Sequence, residues 1–420
     1  MLTYHIITIG CQMNYADSER LASRLEQNGY KKTADKYGAD FLVVNTCGVR
    51  QSAENRIYGL IPKIKKENLR SKIILTGCLA ERKDVKRRLK DYVDIWLPIG
   101  KIQSVFRSIN EAENEKIKYN YLEIKPNYES KFSAFLPIGN GCDNFCSYCV
   151  VPYARGRETY RSAKAILAEA NDLVKKGYKE IILIAQNVNS YKSGKTDFAD
   201  LLKAINSIKG DFWIRFLTSH PKDMSKKLIK TMADSDKVCK QIYLPVQAGD
   251  DKILKAMNRK YTVKHYEQLI KTIRQAMPEI SVTTDLIVGF PGETKKQFNN
   301  SLNLFKQVKF DMAYISEYSA RPGTAAFKLP DDVSRQEKKN RKSRLDKILR
   351  QTALINNKKY LGKTVRVLAE NQSKAGEWFG KTATGKDIRF LAGQLDLKAG
   401  DFVNVKVAGV REFCLAGVLN

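Results

Sequence analysis

Short apolar runs alternate with longer segments of helical periodicity over most of the chain. His5–Ile9, Phe41–Val44 and Lys72–Leu75 have strand length and are rich in β-branched residues. Each leads into a segment patterned as a helix: Ala16–Gln27, Ser52–Lys66 and Ala80–Leu89, with Asn14 and Ser52 as candidate caps. Strand then helix, repeated, predicts a parallel sheet with helices on both faces. In such a sheet all strand C-termini emerge on one edge, and each of these runs is followed closely by a cysteine: Cys11, Cys47 and Cys78. The pattern therefore predicts three thiols converging at the ligand-binding edge. The competing reading is three small buried residues, as free cysteine often is.

Tyr119–Lys131 is polar and reads as a linker. Beyond it, Phe135–Ile138, Glu180–Ala185, Phe212–Leu217, Gln241–Val246, Ser281–Val288 and Met312–Tyr318 are strand-like. They alternate with helical patterns around Ala163–Lys176, Phe198–Ile208, Lys222–Ala233, Val263–Ala276 and Lys295–Val308. Six β/α units are too few for an eight-stranded barrel and suffice for an open partial one. Polar residues gather just past the strand ends: Gln186–Asn189, Thr218–His220, Gln247, Asp285 with Gly289–Glu293, and Ser319 with Arg321–Gly323. In a β/α barrel that face holds the chemistry. Loop caps and turns explain some of these residues equally well, notably Pro291-Gly292 and Pro322-Gly323.

Ser334–Lys359 is a strongly basic helical stretch. After it come five short strand-like runs broken by Gly and Asn: Thr364–Ala369, Trp378–Thr382, Ile388–Phe390, Phe402–Val407 and Phe413–Leu419. These suit a small OB-like barrel. Trp378, Phe379, Arg389 and Phe390 are either an RNA-stacking platform or ordinary core and edge residues. The fold class is thus α/β: an open parallel sheet over residues 1–118, a partial (β/α)6 barrel over 131–357, and a small all-β barrel over 358–420.

Composition changes the picture in one respect. The chain has 420 residues, and 74 Lys+Arg against 45 Asp+Glu leave a net charge of +29. A basic surface of this size favours a polyanion, most simply nucleic acid, although a Lys-rich background would also produce it. The N-terminus has no signal-peptide layout, and no apolar run approaches a membrane span. With one cysteine cluster and five scattered singles there is no disulfide framework, so the expected compartment is a reducing cytoplasm.

The chemistry concentrates in Gly141–Cys149, where Cys142, Cys146 and Cys149 stand in a CxxxCxxC spacing. Pairing among three close thiols leaves one over, so a disulfide fits poorly. Three soft ligands on one loop suit an iron–sulfur cluster. Zinc usually takes four, and no fourth Cys or His lies nearby. His220, before Pro221 at a strand end, reads as a structural hydrogen-bonder, and Cys239 and Cys414 as inert.

The spacing, with Tyr148 before the last cysteine, resembles the radical S-adenosylmethionine superfamily. Gly10–Asn14, Asn45–Arg50 with Ala53-Glu54-Asn55, and Gly77-Cys78 resemble the N-terminal domain of its methylthiotransferases. Gln12-Met13-Asn14 and Val49-Arg50 favour the branch acting on N6-(dimethylallyl)adenosine of tRNA. The resemblance continues through Val150–Gly156, Gln186–Asn189, Thr218–Pro221, Leu244–Gln247, Met257–Arg259, Asp285–Glu293 and Tyr318–Thr324, and the tail resembles the TRAM RNA-binding module. Asn140 departs from the family, which usually has an acid before Gly-Cys, and Tyr160-Arg161-Ser162 replaces the commoner Ser-Arg-Pro.

The resemblance implies two 4Fe–4S clusters and S-adenosyl-L-methionine. The radical cluster falls on Cys142, Cys146 and Cys149, and an auxiliary cluster on Cys11, Cys47 and Cys78. Tyr148, Gln186, Asn187, Ser219, Asp285 and Gly289 are the implied cofactor-binding residues; Gln247, Arg259 and Arg321 are candidates on the substrate side. The implied reaction uses two S-adenosylmethionine molecules. One methylates sulfur at the auxiliary cluster. The other yields a 5′-deoxyadenosyl radical that takes hydrogen from carbon 2 of the adenine at position 37. Partners would be the tRNA anticodon stem-loop, a flavodoxin- or ferredoxin-type electron donor and a sulfur donor of unspecified kind, with the enzyme a monomer and no membrane involved. Alternatives are the same chemistry on threonylcarbamoyladenosine or on a ribosomal-protein aspartate, and, from another class, a non-catalytic iron–sulfur RNA-binding protein.

Overall fold

The computed structural model describes residues 1–49, 51–104, 121–393 and 395–419. Arg50, the boundary near 118 and the first residues of the linker lie outside the described residues. The N-terminal domain orders β1 (Thr3–Ile9), α1 (Gln12–Gln27), β2 (Lys31–Lys32), β3 (Phe41–Thr46), α2 (Gln51–Glu67), β4 (Lys72–Gly77), α3 (Lys83–Leu89) and β5 (Ile95–Pro98). Its strands form one parallel sheet in the order β2-β1-β3-β4-β5. The central β3 is buried at every position, as a strand covered on both faces requires. Apolar clusters pack either side, one around Tyr4, Leu21, Val43 and Ile74, the other around Leu42, Val44, Ile57 and Leu75.

Two helix starts in this domain differ from the pattern. α1 begins at Gln12, with Cys11 as N-cap, because Asn14 reaches back from inside the helix to accept the Cys11 N–H at 3.1 Å. Asn14 is therefore not the cap. α3 begins only at Lys83, since Leu79–Arg82 is spent on a turn in which Arg82 N–H donates to Leu79 O at 3.2 Å.

The central domain contains β6 (Ser133–Pro137), α4 (Val151–Arg155), α5 (Ala163–Lys175), β7 (Glu180–Ile184), α6 (Phe198–Asn206), β8 (Trp213–Leu217), α7 (Lys226–Asp234), β9 (Gln241–Tyr243), α8 (Asp251–Ala256), α9 (Val263–Ala276), β10 (Ser281–Val288), α10 (Lys295–Val308) and β11 (Met312–Glu317). Six parallel strands follow chain order as two three-stranded sheets, β6-β7-β8 and β9-β10-β11. An Ile214–Val238 bridge and the Ser219 N–H to Tyr243 O bond of 3.2 Å join them. This is a partial (β/α)6 barrel whose first and last strands do not pair with each other. β9 ends sooner than its apolar run because Thr284 Oγ1 takes the Val246 N–H at 2.9 Å.

α11 (Arg335–Lys358) leads to five strands, β12 (Thr364–Gln372), β13 (Glu377–Thr382), β14 (Asp387–Leu391), β15 (Phe402–Val410) and β16 (Leu415–Leu419), closed as β12-β13-β14-β16-β15. Trp378 and Phe390 are buried in this small barrel, whereas Phe379 and Arg389 are registered beside each other facing outward. The small barrel docks on the N-terminal ends of the central strands. Arg366 pairs with Asp211 at 2.5 Å, Lys386 with Asp311 at 2.6 Å, and Trp213 stacks on Phe402 at 4.7 Å. α11, about 36 Å long at 1.5 Å per residue, runs from that end to the opposite mouth. Its Arg341 pairs with Glu293 at 2.8 Å, and its Asn357 donates to Arg411 O at 2.8 Å.

Among the described residues no helix is long and apolar enough to cross a membrane.

Candidate active site

The three N-terminal cysteines meet at the C-terminal edge of the sheet. Cys47 N–H donates to Ile9 O at 3.0 Å and Cys78 N–H to Thr46 O at 2.8 Å, so each loop is a short extension of its ladder. Asn45 ties the loops together: Asn14 Nδ2 donates to Asn45 Oδ1 at 3.0 Å, and Asn45 Nδ2 donates to Ser18 Oγ at 2.9 Å. Gly77, at φ +87°, lets the third loop lie against the second; a Cβ there would sit 2.3 Å from Thr46 O. The Cys11 thiol is pulled down to about 6, chiefly by the hydrogen bond it shares with Cys47, against its own burial and helped by the Arg155 guanidinium. Cys47 is pushed up by that hydrogen bond and by burial.

The second trio lies on the loop after β6, at the C-terminal mouth of the partial barrel. Burial and the neighbouring Cys146 push Cys149 up to about 12, and burial raises Cys142. Crowded thiols that resist ionisation together are well matched to cationic iron, which stabilises the thiolate form. The Met257–Arg259 stretch supports this loop. Ser147 N–H donates to Met257 O at 3.1 Å, Asn258 Nδ2 to Phe145 O at 2.9 Å, and Arg259 Nη1 reaches Cys146 Sγ at 3.5 Å. Arg259, a substrate-side candidate from sequence, lies under the cysteine loop and also donates to Pro245 O at 2.8 Å.

Among the described residues no three His, Cys, Asp or Glu side chains surround a single metal-ion point. A cubane asks for something else, since each cysteine ligates a different iron. Both trios offer that donor set.

The remaining sequence candidates divide. Gln186 Oε1 accepts the Gly141 N–H at 2.7 Å, fixing the start of the cysteine loop. Asn187 Oδ1 and Ser219 Oγ are buried just past the ends of β7 and β8 with no hydrogen-bond partner among the described residues. Such orphaned polar atoms at the mouth fit a polar ligand such as S-adenosylmethionine. Tyr148 is half-buried beside Cys146 and Arg259, and its partial burial raises its hydroxyl. Asp285 accepts the Tyr243 hydroxyl at 2.5 Å. Gly289, at φ +67°, packs against Lys338 of α11, whose Cγ lies 2.4 Å from where a Cβ would project. Gln247 is held in a left-handed conformation, φ 71°, by backbone bonds to Asp285 and Ile287. His220 accepts the Lys222 N–H at 3.2 Å, and burial drives it down to about 2, so it is a neutral structural residue. Cys239 is buried and raised to about 11, consistent with an inert thiol.

Two buried arginines of the central domain, Arg321 and Arg155, reach into the N-terminal domain beside its cysteine loops. Arg321 Nη1 donates to Gln51 Oε1 at 2.6 Å and to Glu54 Oε2 at 3.3 Å, and Nη2 to Val49 O at 3.0 Å. Another substrate-side candidate is thus engaged beside the Cys47 loop. Arg155, at the end of α4, pairs with Asp17 of α1 at 2.7 Å and reaches Cys78 Sγ at 3.3 Å. Both thiol trios therefore border one domain junction. A cleft of about 570 Å³ opens there, between Cys78, Arg82 and Arg87 on one side and Tyr153 and Pro322 on the other. Sequence reasoning passed over Arg155 and Asp17. Arg155 sat in a recognised motif without a role, and Asp17 looks like solvent-facing charge on a helix.

These features define a radical S-adenosylmethionine protein, and residues 136–305 match the Radical SAM superfamily. Residues 3–98 match the uncharacterized protein family UPF0004, and 358–419 the TRAM domain. The chain is 42% identical, over 100% of its length and 93% of the relative's, to the tRNA-2-methylthio-N(6)-dimethylallyladenosine synthase of Thermoanaerobacter sp. strain X514. It is 39% identical to that of Clostridium botulinum strain Hall, over 99% of its length and 96% of the relative's. It belongs to the tRNA methylthiotransferase family that these synthases represent. Among solved structures, the radical S-adenosylmethionine methyltransferase TsrM from Kitasatospora setae superposes with a TM-score of 0.54 at 13% identity, over 78% of this chain and 74% of that one. The cobalamin-dependent radical enzyme OxsB superposes at 0.55 with 13% identity, over 83% and 56%. At such identity the likeness is one of fold.

Proposed function

We propose that the protein inserts a methylthio group at carbon 2 of N6-(dimethylallyl)adenosine at position 37 of tRNA. The observation that carries this reading is that two cysteine trios border one domain junction, beside a cleft with access to Cys78. Cys142, Cys146 and Cys149 would hold one 4Fe–4S cluster, and Cys11, Cys47 and Cys78 a second. When bound, these groups and two S-adenosylmethionine molecules supply radical hydrogen abstraction and methylated sulfur, chemistry that side-chain acids and bases cannot perform on an unactivated C–H bond.

The chain's own residues do the rest. Gln186, Asn258 and Arg259 hold the Cys142–Cys149 loop in shape, and Asn14 and Asn45 hold the Cys11 and Cys47 loops together. Asn187 and Ser219 offer polar atoms to the cofactor. The target base would leave its stack to enter the cleft. Because the small barrel lies at the far end of the central strands, α11 becomes the bridge between mouth and barrel. Lys339, Lys342, Lys347 and Arg350 line a groove of about 580 Å³ along it, suited to stem phosphates. A reductant of flavodoxin or ferredoxin type, a monomeric state and a cytoplasmic location complete the reading.

Nucleoside mass spectrometry of tRNA from a deletion strain tests it. The unthiolated dimethylallyl nucleoside should accumulate, and return of the gene should restore the methylthio product. Accumulation of unthiolated threonylcarbamoyladenosine instead, or no change, would refute it.

A further inference from the structure

Arg155 is buried, and its guanidinium is shared among four groups. Nε donates to Cys78 Sγ at 3.3 Å, Nη2 to Asp17 Oδ2 at 2.7 Å, and Nη1 to Asn140 Oδ1 at 3.1 Å and Tyr121 Oη at 3.4 Å. Asp17 is the carboxylate in this set; Asn140, whose Nδ2 returns a bond to Arg155 O at 3.1 Å, is neutral. The cation is therefore neutralised from one side and spends a hydrogen bond on sulfur from another. It also stands on α4, directly after the Cys142–Cys149 loop, so one side chain connects that loop to the opposite trio.

From this we infer that Arg155 is a positioning residue that sets the reduction potential of the cluster on Cys11, Cys47 and Cys78. A hydrogen bond and a buried positive charge at a ligand sulfur stabilise the more negative, reduced cluster and raise its potential. Arg259, at 3.5 Å from Cys146 Sγ, shows the same motif at the other trio. The inference rests on the proposed second cluster, and its test separates the two claims.

The test uses full-length protein carrying Cys142→Ala, Cys146→Ala and Cys149→Ala, reconstituted anaerobically so that any cluster belongs to the N-terminal trio. Its potential is read by EPR-monitored redox titration. Arg155→Lys keeps the charge and loses the planar fork. Asn140→Asp keeps the fork and adds a carboxylate against it. Both should shift the potential downward relative to the parent while leaving the iron content of the trio unchanged. If Arg155→Lys fails to fold, Asn140→Asp decides. An iron-bearing parent whose potential neither substitution moves overturns the inference alone. A parent that binds no iron overturns the second cluster, and the inference with it.

Discussion

Asn14 and Asn45 grip each other at the edge of the N-terminal sheet: Asn14 Nδ2 donates to Asn45 Oδ1 at 3.0 Å, and Asn45 Nδ2 donates back to Asn14 O at 2.8 Å. Neither side chain touches solvent. Asn14 lies on α1 and Asn45 at the end of β3, so the pair fixes the Cys11 loop against the Cys47 loop. Asn45→Ala leaves buried donors and acceptors short of partners, at about 1–3 kcal/mol. The variant should unfold at lower denaturant and lose iron from the N-terminal trio while the Cys142 loop keeps its own. Denaturation curves and iron counts check both effects.

Gly77 and Gly29 separate backbone strain from collision. Both have positive φ, +87° and +83°, yet a Cβ on Gly29 meets open space and one on Gly77 meets Thr46 O at 2.3 Å. Gly29→Ala should cost about 1–2 kcal/mol, the left-handed penalty for a residue with a Cβ. Gly77→Ala should cost clearly more and displace Cys78. Equal melting temperatures for the two variants would contradict this.

Glu19 gives a pH dependence. It is buried on α1, where Glu129 N–H donates to its Oε1 at 3.1 Å, and burial pushes its carboxyl up to about 7. The folded state thus holds a proton that the unfolded chain releases near about 4.3. This contribution to stability is full below that pH and is lost as pH rises through about 7. Glu19→Gln should therefore be more stable than the parent at pH 8, by an amount on the order of 2 kcal/mol, and no more stable at pH 4. Thermal melts across that range supply the comparison.

The basic groove on α11 predicts salt-dependent RNA binding. Replacing Lys339, Lys342 and Lys347 by Gln should weaken anticodon stem-loop binding and flatten its log–log salt slope by roughly 0.7–0.9 for each phosphate no longer neutralised. Melting temperature should barely change, because these side chains lie mostly in solvent. An unaltered slope would place the phosphate contacts elsewhere.

Strand and helix periodicity in the sequence marked nearly every principal strand, because β-branched runs and helical spacing survive burial. It missed Lys31–Lys32 and Ile95–Pro98, edge strands of the first sheet that are too polar or too short to register. The cysteine spacing announced the candidate site, and the strand-end positions of Cys11, Cys47 and Cys78 foretold their meeting. The polar face of α1 was illegible. Asn14, Asp17, Glu19 and Arg20 look solvent-facing in a pattern that equates polar with exposed, yet all four are buried between the sheet and the central domain. The last three find partners more than a hundred positions away, in Arg155, Glu129 and Glu169. The docking end of the small barrel was equally hidden, since it depends on pairs such as Lys386 with Asp311 that no local pattern links.

The division of labour between the trios can be read from two single substitutions in reconstituted protein with an anticodon stem-loop substrate. Cys47→Ala should still cleave S-adenosylmethionine to 5′-deoxyadenosine while forming no methylthio nucleoside, and Cys142→Ala should do neither. Methylthio product from Cys47→Ala would contradict the assignment of sulfur delivery to Cys11, Cys47 and Cys78.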